Sequence, residues 1–354
     1  MTHPYEHLPD SAFWSRSISR PGLHEIDPVV SSPVHLSSDD AVATMGSCFA
    51  QHIARFLHKD GLHYLVTEPG PVELDSEERR IRGYGVFTAR FGNVYTVRQG
   101  NQLLARAFGE WEPDEAPWRD AAGNWVDPFR PTVEPGGFPT LRAMMEDRST
   151  HLAAVRAMVH QASLLVFTLG LTEGWRSRRT GVIYPLVPGA AGGTFHPDEH
   201  EFVNYGINDV IADLRVFCEE LHRHNEDLRL LLTVSPVPLI ATYSPVHVLT
   251  ATTYSKAVLR VAASEIEALL PWVTYFPSYE IITSPAAEGR YYAPDLRAVT
   301  DDGVAHVMRV FRRHYVGQES PADVSADVIG QDIVRTAAVV CDEEALVAGI
   351  AEEP

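Results

Sequence analysis

Three features of the sequence predict an α/β fold, a three-layer α/β/α arrangement around a flavodoxin-like parallel sheet. Short apolar runs at residues 41–45, 164–169, 228–234 and 273–276 have the length and composition of strands buried on both faces. Helical apolar spacing recurs near residues 49–57, 209–221, 254–269 and 301–315. The runs and the helical stretches alternate, as βα units do, so a ligand is expected outside the carboxyl ends of the strands.

Residues 1–40 are rich in Pro, Ser and His, have little periodicity, and read as an N-terminal arm draped over the core. Regular structure begins at Ala41. The run 41–45 ends in Gly46-Ser47, and Phe49, Ile53, Phe56 and Leu57 then repeat at helical spacing until Gly61, which predicts strand, tight turn and helix. A weaker strand run follows at 62–66. Residues 102–161 break the rhythm, with Trp111, Trp118 and Trp125 among acidic and proline positions before a helical stretch at 141–159. They read as an insertion, either a lid or pocket wall or a surface excursion whose aromatics fill a side core. After Val316 the chain turns polar, then Ala- and Val-rich over 327–350, which predicts a C-terminal helix in an extension spanning 316–354. The length of 354 residues allows two domains or one enlarged one. The motif order favours one domain over 41–315.

With 29 Lys+Arg against 47 Asp+Glu, the net charge of −18 disfavours nucleic acid as a partner. No apolar run approaches the ~18 residues of a membrane span, and the N-terminus lacks the pattern of an export signal. Cys48, Cys218 and Cys341 are too scattered for a disulfide framework or a CxxC metal site, so a cytoplasmic setting is expected.

Ser47 is the first chemical candidate. It sits where a strand end meets a helix start, behind a glycine that permits a tight turn, and backbone donors there favour an oxyanion. The plainer reading of such a Gly-Ser is a helix N-cap. Cys48 is an alternative thiol nucleophile, although one step into the helix it is expected to face the core.

Gly46-Ser47-Cys48-Phe49-Ala50 resembles the signature of the GSCFA family, a branch similar to the SGNH or GDSL-like serine hydrolases. Further blocks resemble it in order: Phe91-Gly92-Asn93-Val94-Tyr95-Thr96, Thr168-Leu169-Gly170-Leu171-Thr172-Glu173, Thr233-Val234-Ser235-Pro236-Val237-Pro238-Leu239, Tyr254-Ser255-Lys256 and Tyr275-Phe276-Pro277-Ser278-Tyr279-Glu280. The resemblance implies a serine-dependent acyl-ester hydrolase or O-acyltransferase with Ser47 as nucleophile, acting on a small-molecule or glycan acyl ester without metal or organic cofactor. It also implies a late Asp-x-x-His block supplying the other two triad members. Here that block is Asp295-Leu296-Arg297-Ala298, followed by Val299 where the family pattern has proline.

Asp295 matches the pattern, but Ala298 stands at the histidine position, and a serine hydroxyl without a base is a poor nucleophile. An engineered substitution, a natural loss and a relocated base are the three explanations. His306 is the nearest imidazole, though two helical turns beyond Ala298 place it below the site. Loss of the base makes a non-catalytic acyl- or glycan-binding protein the alternative function.

The resemblance further implies an oxyanion hole made of the Ser47 N–H, a glycine N–H and an asparagine side chain, which points to Gly92 with Asn93 or Thr172. Glu173, Trp175 and Arg297 are pocket candidates at the strand ends, and Arg90 and Lys256 are possible anchors for an anionic or carbonyl group. His196-Pro197-Asp198-Glu199-His200 carries two imidazoles, but the proline opposes the helix that would bring them to one face, and it reads as a polar loop.

Overall fold

The computed structural model describes residues 3–59, 61–316 and 341–348. In chain order the regular elements begin with β1 (Val42–Gly46), α1 (Ala50–Lys59), α2 (Ser76–Ile81) and α3 (Val97–Ala107). Next come β2 (Trp118–Arg119), β3 (Trp125–Val126), α4 (Leu141–Gln161), β4 (Leu164–Leu169), β5 (Glu173–Ser177), β6 (Ile183–Tyr184) and β7 (His200–Asn204). The chain continues through α5 (Ile207–His224), β8 (Arg229–Val234), α6 (Val248–Leu269), β9 (Val273–Tyr275), α7 (Ser278–Thr283) and α8 (Asp301–Phe311).

The central sheet is parallel throughout, in the order β1-β4-β8-β9. Beyond β1, Tyr64 bridges Val42, with the Val42 N–H donating to the His63 carbonyl and the Leu65 N–H to that of Val42, each at 2.9 Å. The weak run at 62–66 is thus a vestigial edge strand, and the spatial order has the flavodoxin-like 2-1-3-4-5 form. Side chains alternate between the faces as a pleat requires. Ala43, Met45, Leu165 and Phe167 pack with α3, α4, α5 and α6, whereas Val42, Leu164 and Val166 pack with α1, α7, α8 and the arm. The strands are buried along nearly their whole length, which is why the sequence shows continuous apolar runs there.

The stretch read as an insertion over 102–161 is bounded differently. Gln102 lies inside α3, which packs on α5, and α4 is the crossover helix feeding β4. Only residues 108–140 leave the layered core, and β2 and β3 pair there as a short antiparallel ladder. Trp118 and Val126 form a side core with Val182 and Tyr184, against which Trp111 and Trp175 pack, so these aromatics take the structural role. An antiparallel sheet in the order β6-β5-β7 follows β4 and was not foreseen, because its short, half-exposed strands lack a continuous apolar run. Helix α6 begins six residues before the expected start, since residues 248–250 and 253–254 are exposed and carry no apolar periodicity. The helix expected over 327–350 falls mostly outside the described residues. Its described part is a short 3₁₀ turn, Asp342–Leu346, not an α-helix.

Candidate active site

Gly46 ends β1 at φ +124, and a Cβ placed there would lie 2.1 Å from the Thr168 carbonyl oxygen. Only glycine permits this approach, which lets the Ser47 N–H donate to Thr168 O at 3.0 Å and the Val94 N–H donate to Gly46 O at 2.8 Å. The first hydrogen bond corrects the expectation for the oxyanion hole: the Ser47 N–H is engaged in holding β1 to β4. The second brings the 91–96 loop alongside the nucleophile candidate.

A small cavity at the carboxyl end of the sheet is lined by Ser47, Cys48, Tyr95, Gly170, Ser235 and Lys256, together with Leu171, Val237 and Glu343. Ser47 is 3% exposed, and among the described residues neither its Oγ nor the buried Tyr95 hydroxyl has a hydrogen-bond partner. Two unsatisfied hydroxyls in one cavity are costly unless a ligand completes them. Gly170 is shaped to this space, because a Cβ on it would lie 3.2 Å from Ser47 Cβ and 3.0 Å from the Tyr95 carbonyl oxygen.

Lys256 enters from α6, held in place where Ser255 Oγ accepts from the Thr172 N–H at 3.0 Å. Its Nζ donates to the Gly170 carbonyl at 2.8 Å, and burial pulls its pKa down to about 8. Cys48 faces this cavity and not the core, a correction that follows from α1 starting only at Ala50.

The Gly92–Asn93 turn already holds an anion, the carboxylate of Asp342. The Asn93 N–H donates to Asp342 Oδ2 at 3.3 Å, the Asn93 side chain bonds the same carboxylate, and Gly92, at φ +72, leaves room for it. Thr132 Oγ1 donates to Asp342 Oδ1 at 2.5 Å, which ties the 108–140 excursion to this C-terminal segment. Glu343 accepts from Arg297 Nη2 at 2.6 Å, and desolvation raises its pKa to about 7.

The other sequence candidates fall elsewhere. Asp295 is exposed; its Oδ1 accepts from the Arg297 and Ala298 N–H groups, both at 3.0 Å, and these backbone bonds lower its pKa. Ala298 is also exposed, and neither residue lines the Ser47 cavity. The side chain that reaches inward from this block is Arg297. Thr172 spends its hydroxyl proton on Asn204 Oδ1 at 2.8 Å, so it is not a free oxyanion donor. Glu173 accepts from Thr242 and Ser244 and secures their loop, while Trp175 packs edge-to-face among Phe195, Phe202 and Tyr243. Arg90 is a fully buried core residue that donates to Glu134 and Asp147 and anchors nothing in the cavity.

His306 does not serve as a relocated base. Its Nε2–H donates to the Ile26 carbonyl at 2.8 Å and its Nδ1 accepts from the Tyr291 hydroxyl at 2.6 Å, which commits both ring nitrogens on the arm side of the sheet. Desolvation lowers its pKa to about 4, so the folded protein keeps the ring neutral. The unfolded chain, near 6.5, binds the proton first as pH falls, and stability is therefore full above pH 6.5 and lost towards pH 4. We expect His306→Gln to remove on the order of 2 kcal/mol of that acid sensitivity, read as a flatter unfolding free energy between pH 6.5 and 4 in urea titrations.

His196 and His200 stack near-parallel, with the His196 N–H donating to His200 Nδ1 at 3.0 Å. Among the described residues, Glu110, Glu220 and His224 stand close enough to share an ion, but the Arg223 guanidinium donates to both carboxylates and fills that role. No described helix is long and apolar enough to cross a membrane.

The parallel α/β layers and the serine at the end of the first strand define a class of protein with a sheet-top site. The GSCFA family model matches residues 41–311, and the chain belongs to the GSCFA family. No curated protein matches the chain.

Proposed function

We propose that the protein is a serine-dependent acyl-ester hydrolase or O-acyltransferase of the SGNH type, acting on a small-molecule or glycan acyl ester. The observation that carries this reading is the buried, unpartnered Ser47 Oγ in a cavity that also holds a desolvated amine. In this reading Lys256 is the base that position 298 lacks. As a neutral amine it donates one hydrogen to Gly170 O and offers its lone pair to the Ser47 proton. Ser47 Oγ then attacks the ester carbonyl, and the Asn93 N–H, which holds an Asp342 carboxylate oxygen in the resting structure, receives the oxyanion once Asp342 is displaced. Collapse expels the alcohol, which takes the proton back from Lys256. Water as second nucleophile gives hydrolysis, and an alcohol or sugar gives transfer.

The rate is expected to rise with pH through about 8, where Lys256 loses its proton. Lys256→Met should lower hydrolysis of p-nitrophenyl esters by about 10²–10⁴. Lys256→Arg keeps the charge but supplies no base, so it should lose as much. An unchanged pH profile in Lys256→Met would remove this residue from the mechanism.

The non-catalytic reading draws on Ala298. Position 298 is exposed and outside the Ser47 cavity, so Lys256→Met separates the two: ester hydrolysis that falls with this substitution supports the enzyme, whereas ester binding without turnover in either form supports a binding protein.

A further inference from the structure

Cys48 and Cys341 are 293 residues apart in sequence, yet their sulfurs lie 3.7 Å apart. The residues after Cys341 occupy the candidate site: Asp342 sits on the Asn93 N–H and Thr132, and Glu343 lines the Ser47 cavity. We propose that Cys48 and Cys341 form a disulfide that fastens this C-terminal segment into the site and closes it. The proposal rests on Ser47 being the reactive residue.

The geometry gives the two sulfurs different chemistry. Cys341 is favoured as thiolate by its hydrogen bond with Cys48 and by Arg297, whose Nη2 lies 3.5 Å from the sulfur, and its pKa falls to about 6. Cys48 is held as the thiol, its pKa raised by the same contact and by burial. A low-pKa thiolate beside a resolving thiol is the arrangement that peroxide oxidises.

With hydrogen peroxide as oxidant, the Cys341 thiolate attacks one peroxide oxygen. The S–O bond forms, the O–O bond breaks, and hydroxide leaves to become water. The Cys48 sulfur then attacks the Cys341 sulfur; the S–S bond forms, the S–O bond breaks, and the departing hydroxide takes the Cys48 proton. Two thiols lose two electrons and two protons in all, and peroxide becomes two waters. The sulfurs need only close from 3.7 Å to the ~2.05 Å of a disulfide.

Without the bond, the segment is held by contacts that work against a desolvation cost. Asp342 and Glu343 are 5% and 6% exposed, and burial raises the pKa of both carboxyls. Withdrawal would free the Asn93 N–H and would also take from Lys256 the negative charge that holds its proton. Reduction thus leaves the segment held by these contacts alone and able to withdraw, with more of Lys256 as the free amine once Glu343 has left, whereas oxidation fixes the closed form.

The test treats the full-length protein with hydrogen peroxide, maps its peptides without reductant, and measures Ser47 labelling by a fluorophosphonate. A Cys48–Cys341 linked peptide is expected, with labelling reduced at least tenfold and restored by dithiothreitol. In Cys341→Ser and Cys341→Ala, no linked peptide forms and labelling ignores peroxide. The idea is overturned if both thiols stay open to alkylation after peroxide, if Cys341 proceeds to sulfinic acid without the link, or if complete linkage leaves labelling unchanged. Hydrogen exchange over residues 341–348 gives a readout independent of Ser47. Linkage that slows exchange supports the latch even if no form is labelled, and that combination counts against Ser47 as the nucleophile.

Discussion

Ser47→Ala is expected to reduce ester hydrolysis by about 10⁴–10⁶ while leaving the fold intact. In the proposed reaction Ser47 Oγ is the attacking atom, so the substitution removes the nucleophile. Structurally the hydroxyl contributes little, because it is buried without a hydrogen-bond partner among the described residues and its removal relieves an unsatisfied polar group. Stability should move by no more than about 1 kcal/mol in either direction. Ester kinetics and thermal unfolding measured on the same sample check both halves. Full activity in Ser47→Ala would end the serine mechanism, and if iodoacetamide then inhibited that variant, the chemistry would pass to Cys48.

Gly46→Ala is expected to have the opposite signature, a severe loss of stability. The added Cβ would meet the Thr168 carbonyl oxygen at 2.1 Å and its carbon at 2.8 Å, both of them backbone atoms that cannot swing away. A backbone at φ +124 adds strain of about 1–3 kcal/mol for any residue with a side chain. Relief requires β1 to move from β4, which breaks the Ser47 N–H bond to Thr168 and the Val94 N–H bond to Gly46. A loss above about 4 kcal/mol follows, seen as a melting temperature lower by roughly 10 °C or as insoluble expression. A variant that melts with the wild type would show that the turn relaxes in a way the close approach does not allow.

The layered core was legible because its strands are buried on both faces and leave unbroken apolar runs, as at Leu164–Leu169. The limits of the excursion were not: α3 and α4 are core helices whose polar outer faces, with Gln102 and Arg142 as examples, blur into the polar loop between them. Ser47 was legible as a candidate because its placement depends on local chain geometry, a glycine at a strand end ahead of a helix start. Gly92 and Asn93 were expected as oxyanion donors, and in the structure the Asn93 N–H donates instead to the protein's own Asp342.

The partners of the site could not be read in the same way. Asp342 reaches Asn93 across 249 residues and Cys341 reaches Cys48 across 293, and no local pattern encodes such contacts. Asp295 illustrates the converse. Its position matched a motif, but its carboxylate is taken up by the Arg297 and Ala298 backbone N–H groups in a tight turn where Leu296 adopts φ +53. Lys256 was visible only as a cation. Its burial and its bond to Gly170, on which the proposed role as base rests, depend on where α6 packs.

The most direct measurement is fluorophosphonate labelling of the reduced full-length protein, with the adduct located by peptide mapping. The account predicts a single adduct on Ser47, absent in Ser47→Ala and strongly diminished in Lys256→Met. An adduct on another residue, or a Ser47 adduct that forms at the same rate without the Lys256 amine, would contradict it.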